Sequence, residues 1–107
     1  MDTAMGIEVL LTTTDPLPHT VGVAKARAIE VGLGRGVERH HDDSVRLVFE
    51  EPAGKQFILT MQPHGEIHAE SFGAPRNTGE ADLAIIVALL PGATIVGTNP
   101  SWDTDLG

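Results

Sequence analysis

The sequence predicts an α+β fold in a single small domain over residues 1–107: an antiparallel-rich sheet with two helices on one face, in the order β-α-β-β-β-α-β. Three observations support this prediction. Several segments alternate apolar and polar residues, which is typical of half-buried strands. Two others have the composition and end signals of helices. With 107 residues, the chain is long enough for one domain and one modest core.

The first strand and the first helix follow each other near the start of the chain. A β-branched and apolar stretch begins at Ile7 and ends at Asp15-Pro16, which favours a strand. From Thr20 to Val31, apolar residues fall on one helical face, with Thr20 as N-cap and Gly32 where a left-handed C-cap is expected. A strand is the alternative for 20–31, because large and small residues also alternate there and Gly22 weakens a helix.

The middle of the chain predicts three strands. Residues 44–51 and 55–62 each place apolar side chains on one face, and the turn residues 51–54 between them predict an antiparallel hairpin. A second turn, Pro63-His64-Gly65, leads into a third strand over 66–72. These strands supply most of the predicted sheet.

A second helix is predicted over 79–90, opened by Asn77 or Thr78 and ended by Pro91. Its eight consecutive apolar residues, 83–90, occupy the whole circumference, so we expect both sides of this helix to be covered. A last short strand is predicted over 93–98. Residues 99–107 then form an acidic C-terminal tail that contains the single tryptophan, Trp102.

Charge and composition exclude several functions. Fifteen acidic and seven basic residues give a formal charge of −8, which repels phosphate groups, so we expect no nucleic-acid partner and no membrane partner. All seven basic residues fall between Lys25 and Arg76, so charge is segregated along the chain. The absence of cysteine excludes disulfides and thiolate chemistry and favours a reducing compartment. The first residues lack the pattern of a signal peptide, and a cytoplasmic location is expected.

The most suggestive chemical pattern is the alternation of His64, Glu66, His68 and Glu70, which places imidazoles and carboxylates on one face of a strand. On a strand, however, His64 and His68 lie roughly 13 Å apart, so one metal ion cannot bind both. The pattern is therefore interpreted as the solvated face of a sheet. A small metal-dependent enzyme that uses this face with ligands from elsewhere remains an alternative.

Residues 40–43, His-His-Asp-Asp, form a second candidate cluster for metal binding or proton transfer. They precede a predicted strand, where polar turn residues are common, so a loop is the simpler interpretation. No serine lies in a nucleophile-elbow motif, and no glycine motif matches a dinucleotide or Walker site. The sequence therefore predicts a protein-binding module without cofactor, metal or catalytic residues.

Three stretches resemble the effector, or coupling, proteins of soluble bacterial diiron monooxygenases, which serve phenol, toluene, alkane and methane hydroxylases. The first is the opening strand 6–11 with the helix after it. The second is Val-Glu-Arg-His-His at 37–41, leading into Val-Arg-Leu at 45–47. The third runs from Phe72-Gly73 through the second helix to the last strand. The resemblance covers most of 6–98.

This resemblance implies a protein without an active site of its own, which docks on the hydroxylase component near the diiron centre and tunes its reactivity toward substrate and oxygen. The candidate partner-binding residues come from the histidine clusters, the second helix and the tail: His40, His41, His68, Glu70, Ile86, Val87 and Trp102. An acidic stoichiometric inhibitor, such as a toxin-immunity protein, is the alternative partner-binding function.

Overall fold

The computed structural model of the protein describes residues 5–52, 54–73 and 79–99. It has two helices and six strands, which confirms the predicted α+β class with one strand more than expected. In chain order, the elements are β1 (Met5–Thr12), α1 (Leu17–Glu30), β2 (Val37–His41), β3 (Ser44–Glu50), β4 (Gln56–Met61), β5 (Glu66–Phe72), α2 (Gly79–Leu89) and β6 (Thr94–Asn99).

The six strands form one sheet in the order β2-β3-β4-β5-β1-β6, and every neighbouring pair is antiparallel. Strands β2 to β5 are consecutive neighbours, as in a meander. β1 instead lies between β5 and β6, which therefore run parallel to each other. α2 connects these two strands across β1.

The sheet has a covered face and an open face. The covered face carries the alternate strand residues that form the core with α1 and α2. Its largest buried side chains are Leu11, Leu47, Phe49, Phe57, Leu59, Met61 and Ile67. The opposite strand residues, on the open face, are half-buried or exposed. Period-two alternation in the sequence thus corresponds to one buried and one accessible side, as predicted.

α1 confirms the predicted helix but begins three residues earlier, at Leu17. Thr20 is not its N-cap: its hydroxyl lies within the helix and donates to the Pro16 carbonyl oxygen at 3.2 Å. The predicted C-terminus is confirmed. Gly32 has a φ of 90° and donates to the Ile29 carbonyl, while Leu33 donates to the Ala28 carbonyl. These two bonds form a Schellman motif, which requires the left-handed conformation that glycine adopts without strain.

β2 is the strand that the sequence interpretation missed. The sequence predicts no strand over 37–41 and a loop over 40–43, but 37–41 pair with β3 in a hairpin whose turn contains Asp42 at a φ of 54°. All five side chains of β2 are exposed. A strand that buries neither face has no hydrophobic period, so alternation could not identify it.

The described residues of this chain cover α2 on one side only, so the expected cover of its other side is not found among them. Ile86, Leu89 and the following Leu90 are buried, whereas Ala84 and Val87 are exposed. Its proposed N-cap residues, 77–78, and the tail residues 100–107 lie outside the described residues. In the part of the chain that the structure describes, neither helix has the length and apolar character needed to cross a bilayer.

Candidate functional site

A cluster of polar side chains lies in the interior, where α2 begins. The Lys55 ammonium is 3.1 Å from Oδ2 of Asp82, and both side chains are fully buried. The Ser71 hydroxyl donates to the same carboxylate oxygen at 2.7 Å and accepts the backbone N–H of Ile7 at 2.9 Å. Oδ1 of Asp82 has no hydrogen-bond partner among the described residues. The cluster thus joins the first turn of α2 to β1, β5 and the residue before β4.

This buried cluster has the residue types of a nucleophilic site but not the access that one needs. Ser71, Lys55 and Asp82 are all closed to solvent, so a substrate cannot reach the hydroxyl without opening the core. Its arrangement fits a structural connection. The sequence interpretation missed it because the three residues come from separate elements, and Asp82 was assigned only to the favourable N-terminal turn of a helix.

The histidines make local pairs with acidic neighbours. His64 Nε2 lies 3.2 Å from Glu66 Oε1, and His68 Nδ1 lies 3.3 Å from Glu70 Oε2. His40 Nε2 lies 2.6 Å from Glu38 Oε2. Among residues 5–52, 54–73 and 79–99, no group of three or more histidine, aspartate or glutamate side chains is placed to hold a metal ion. The described arrangement therefore gives no support to the metal-enzyme alternative.

The predicted partner-binding residues lie in different parts of the fold. His40 and His41 belong to β2 at one edge of the sheet, whereas His68 and Glu70 lie on the open face of β5, with β3 and β4 between them. Two further candidates are on α2, where Ile86 is a fully buried core residue and Val87 is exposed. Trp102 lies outside the described residues. The six described candidates do not form one site.

A groove of about 470 Å³ lies between α1 and the β2–β3 hairpin. Its walls include Val21 and Val45, and its rim carries Lys25, Glu38 and His40. Lys25 Nζ donates to Glu38 Oε1 at 2.7 Å. The hydrogen bonds from Lys25 and then His40 hold the pKa of Glu38 below its usual range. The rim is thus an ion-paired surface that links α1 to β2.

Replacing Lys25 by methionine is expected to raise the pKa of Glu38, because the largest cause of its lowering is removed. In the wild type, the lowered pKa stabilises the folded state above the ordinary glutamate range, and this contribution is lost as pH falls through the lowered value. Carbon-13 NMR titration of the Glu38 carboxyl measures the change. Arg35→Met, in the loop before β2, is the control and should leave the titration unchanged.

The exposed aliphatic side chains are the other feature that a partner can contact. α2 and β6 together contribute three: Val87, 43% exposed, Ile95, 40% exposed, and Val96, 61% exposed. Ile95 pairs with Leu11, so it lies on the covered face, the side on which α2 packs. α2 packs against β1, and β1 is the neighbour of β6, so these exposed side chains belong to elements at the same end of the sheet. We call Val87 together with β6 the α2–β6 surface.

Comparison with known proteins adds no relative. No protein-family profile matches the chain, and no curated protein sequence matches it. The fold and the described surfaces define a small α+β protein whose six-stranded sheet is covered by helices on one face.

Proposed function

We propose that the protein is a non-catalytic binding module that docks on a partner protein through the α2–β6 surface. The observation that carries this proposal is the one-sided burial of α2. The helix is apolar around its circumference, yet Val87 is exposed while the preceding residue, Ile86, is fully buried. An apolar helix side that the described part of the chain leaves uncovered is typical of a protein-protein contact.

The partner that we propose is the hydroxylase component of a diiron monooxygenase, in the cytoplasm. The support for this partner is the resemblance of residues 6–11, 37–47 and 72–95 to effector proteins of these enzymes. The charge of −8 supports a protein partner over a nucleic acid or an anionic membrane. An effector of this kind needs no cofactor of its own.

Its action requires only a difference in affinity. A module that binds one conformational state of the hydroxylase more tightly than another shifts the population toward that state. A rigid surface is sufficient for this, and the α2–β6 surface is attached to a packed core through Ile86 and Leu89. The protein is expected to have no turnover alone.

Val87→Asp tests this proposal. With purified hydroxylase and reductase, the wild-type protein should raise turnover or improve its coupling to reductant use, and Val87→Asp should lose most of that effect. The matched control is Ile29→Asp, because Ile29 is 62% exposed and, like Val87, lies in the last turn of its helix. In both variants, the new carboxylate therefore lies near the negative C-terminal end of a helix dipole, which is equally unfavourable.

The control should stimulate as well as the wild type, and both variants should melt near the wild-type temperature. Equal rate, selectivity and coupling with and without the wild-type protein would rule out the effector function. Equal losses in Val87→Asp and Ile29→Asp would show that the α2–β6 surface has no special role.

A second candidate function is an acidic stoichiometric inhibitor, such as a toxin-immunity protein. The observation that favours it is the row of carboxylates on the open face, where Glu8 of β1 lies opposite Glu70 of β5. Such a surface suits a cationic enzyme. Identification of the captured partner by mass spectrometry distinguishes the two: hydroxylase subunits support the effector function, and a cationic toxin supports the inhibitor.

A further inference from the structure

The two edges of the sheet differ in how they are protected against strand pairing. β2 carries Glu38, Arg39 and two histidines, and charged side chains on an edge discourage another strand from pairing there. β6, with the sequence Thr-Ile-Val-Gly-Thr-Asn, has no charged residue and no proline. Its β-branched residues also favour extended structure. β6 is therefore the edge at which an added strand meets the least resistance.

The described contacts leave the outer side of β6 open. β6 pairs with β1 and is the last strand of the sheet order. Gly97 pairs with Leu10, and Ile95 pairs with Leu11, so Val96 is an extra residue without a partner on β1. A side chain at Gly97 would meet nothing within 4 Å, so no described residue covers the open face at this position. Among the described residues, no strand pairs with the outer side of β6.

Carboxylates outnumber imidazoles on the open face of the strands near this edge, where His68 lies beside Glu70. Glu8 lies on β1, next to β6, and Glu66 and Glu70 follow on β5. Strands β1, β5 and β6 contain no lysine or arginine. The basic residues of the open face, Arg39 and Arg46, are on β2 and β3 at the other end of the sheet. A chain that pairs with β6 therefore meets negative charge.

The covered face near this edge is apolar instead. Ile95 is exposed there, and α2 presents Val87 on the same side of the sheet. Because side chains of a strand alternate between faces, an added strand would place one set beside these aliphatic residues and the other set beside the carboxylates. Pairing with the β6 of a second copy does not meet both requirements, since that strand carries no basic residue.

We infer that β6 accepts an extended segment of the partner protein as a seventh strand, and that this segment alternates aliphatic with basic residues. The inference rests on the proposed function and specifies how the partner binds at the α2–β6 surface. Backbone hydrogen bonds to the outer side of β6 provide the pairing. The aliphatic side chains cover Ile95, and the basic side chains approach Glu8, which is two strands away at about 10 Å between backbones.

The probe is a nine-residue synthetic peptide of alternating valine and lysine with blocked ends, compared with the valine–glutamate peptide of the same length. Fluorescence anisotropy should give at least about tenfold tighter binding of the lysine peptide, and added salt should weaken it. Equal affinity of the two peptides, or no binding of the lysine peptide, would overturn the inference.

Four variants locate the binding. Val96→Lys and Glu8→Lys should each weaken the lysine peptide about fivefold or more, because they add positive charge at the edge. The matched controls are Ile29→Lys, whose side chain is exposed to the same extent as Val96, and Glu50→Lys, on the open face of β3. Both controls should retain the wild-type affinity. Equal losses in the controls would overturn the inference.

Hydrogen exchange identifies the paired strand directly. Amides of residues 94–99 that exchange in the free protein should become protected in the peptide complex, while amides of 37–41, on the other edge, should not change. Protection confined to β2, or complete protection of β6 in the free protein, would overturn the inference. The same exchange measurement on the wild-type protein bound to the hydroxylase separates the two proposals. If 94–99 stay unprotected there while Val87→Asp fails to bind the hydroxylase, strand pairing is refuted and the proposed docking function still stands.

Discussion

Replacing Lys55 by methionine is expected to lower the free energy of unfolding by about 3–5 kcal/mol, because it leaves the buried carboxylate of Asp82 without its counter-charge. Among the described residues, only the Ser71 hydroxyl would still donate to that carboxylate, and its other oxygen has no partner there. Urea denaturation followed by circular dichroism measures the change. A loss below about 1 kcal/mol would contradict a buried charge pair at this position.

The exposed pair of Lys25 and Glu38 provides a matched control. Lys25→Met removes the same type of ion pair at the surface and should cost less than about 1 kcal/mol, because solvent screens it. The double variant Lys55→Met/Asp82→Leu should be more stable than Lys55→Met alone, since no buried charge remains. The double variant should still be less stable than the wild type, because the Ser71 hydroxyl loses its acceptor.

The second large effect is expected at Ile86. Ile86→Asp places a carboxylate in the core and should destabilise the fold by on the order of 4–5 kcal/mol or prevent folding. Val87→Asp, one residue later and about 100° around the helix, should change stability by less than about 1 kcal/mol. Thermal and urea unfolding of the two variants gives the comparison directly.

Ile86→Ala separates burial from charge at the same position. It introduces no polar group, so it should lower the free energy of unfolding by about 2–5 kcal/mol, the effect of a core cavity. If Val87→Asp were as destabilising as Ile86→Asp, both sides of α2 would be core and the α2–β6 surface would lose its basis. If Ile86→Asp melted like the wild type, the assignment of Ile86 to the core would be wrong.

Much of the fold follows from local pattern. Strands that bury one face, such as β3, β4 and β5, have a hydrophobic period of two, and Gly32 marks the end of α1. These features depend on residues that are close in the chain, so they can be predicted from the sequence. The start of α1 was assigned incorrectly because Thr20 resembles an N-cap, whereas the helix begins after Pro16 without a side-chain cap.

The parts that the sequence did not predict depend on long-range pairing. β2 becomes a strand only through its hairpin with β3, and Lys55 finds Asp82 only after α2 packs on the sheet. The candidate surface was partly predicted. Residues 86 and 87 were both proposed as partner contacts, but an apolar run without a polar stripe does not indicate which side of a helix faces the core.

The position of β1 between β5 and β6 also affects how the protein emerges during synthesis. β1 precedes both of its neighbours, β5 and β6, by more than 50 residues in the chain, so its apolar residues have no sheet neighbours until those strands are available. Pairings between distant segments form slowly, and a strand that is still unpaired can aggregate with other chains. The meander β2–β5 can assemble earlier, and completion of the domain depends on its last strand.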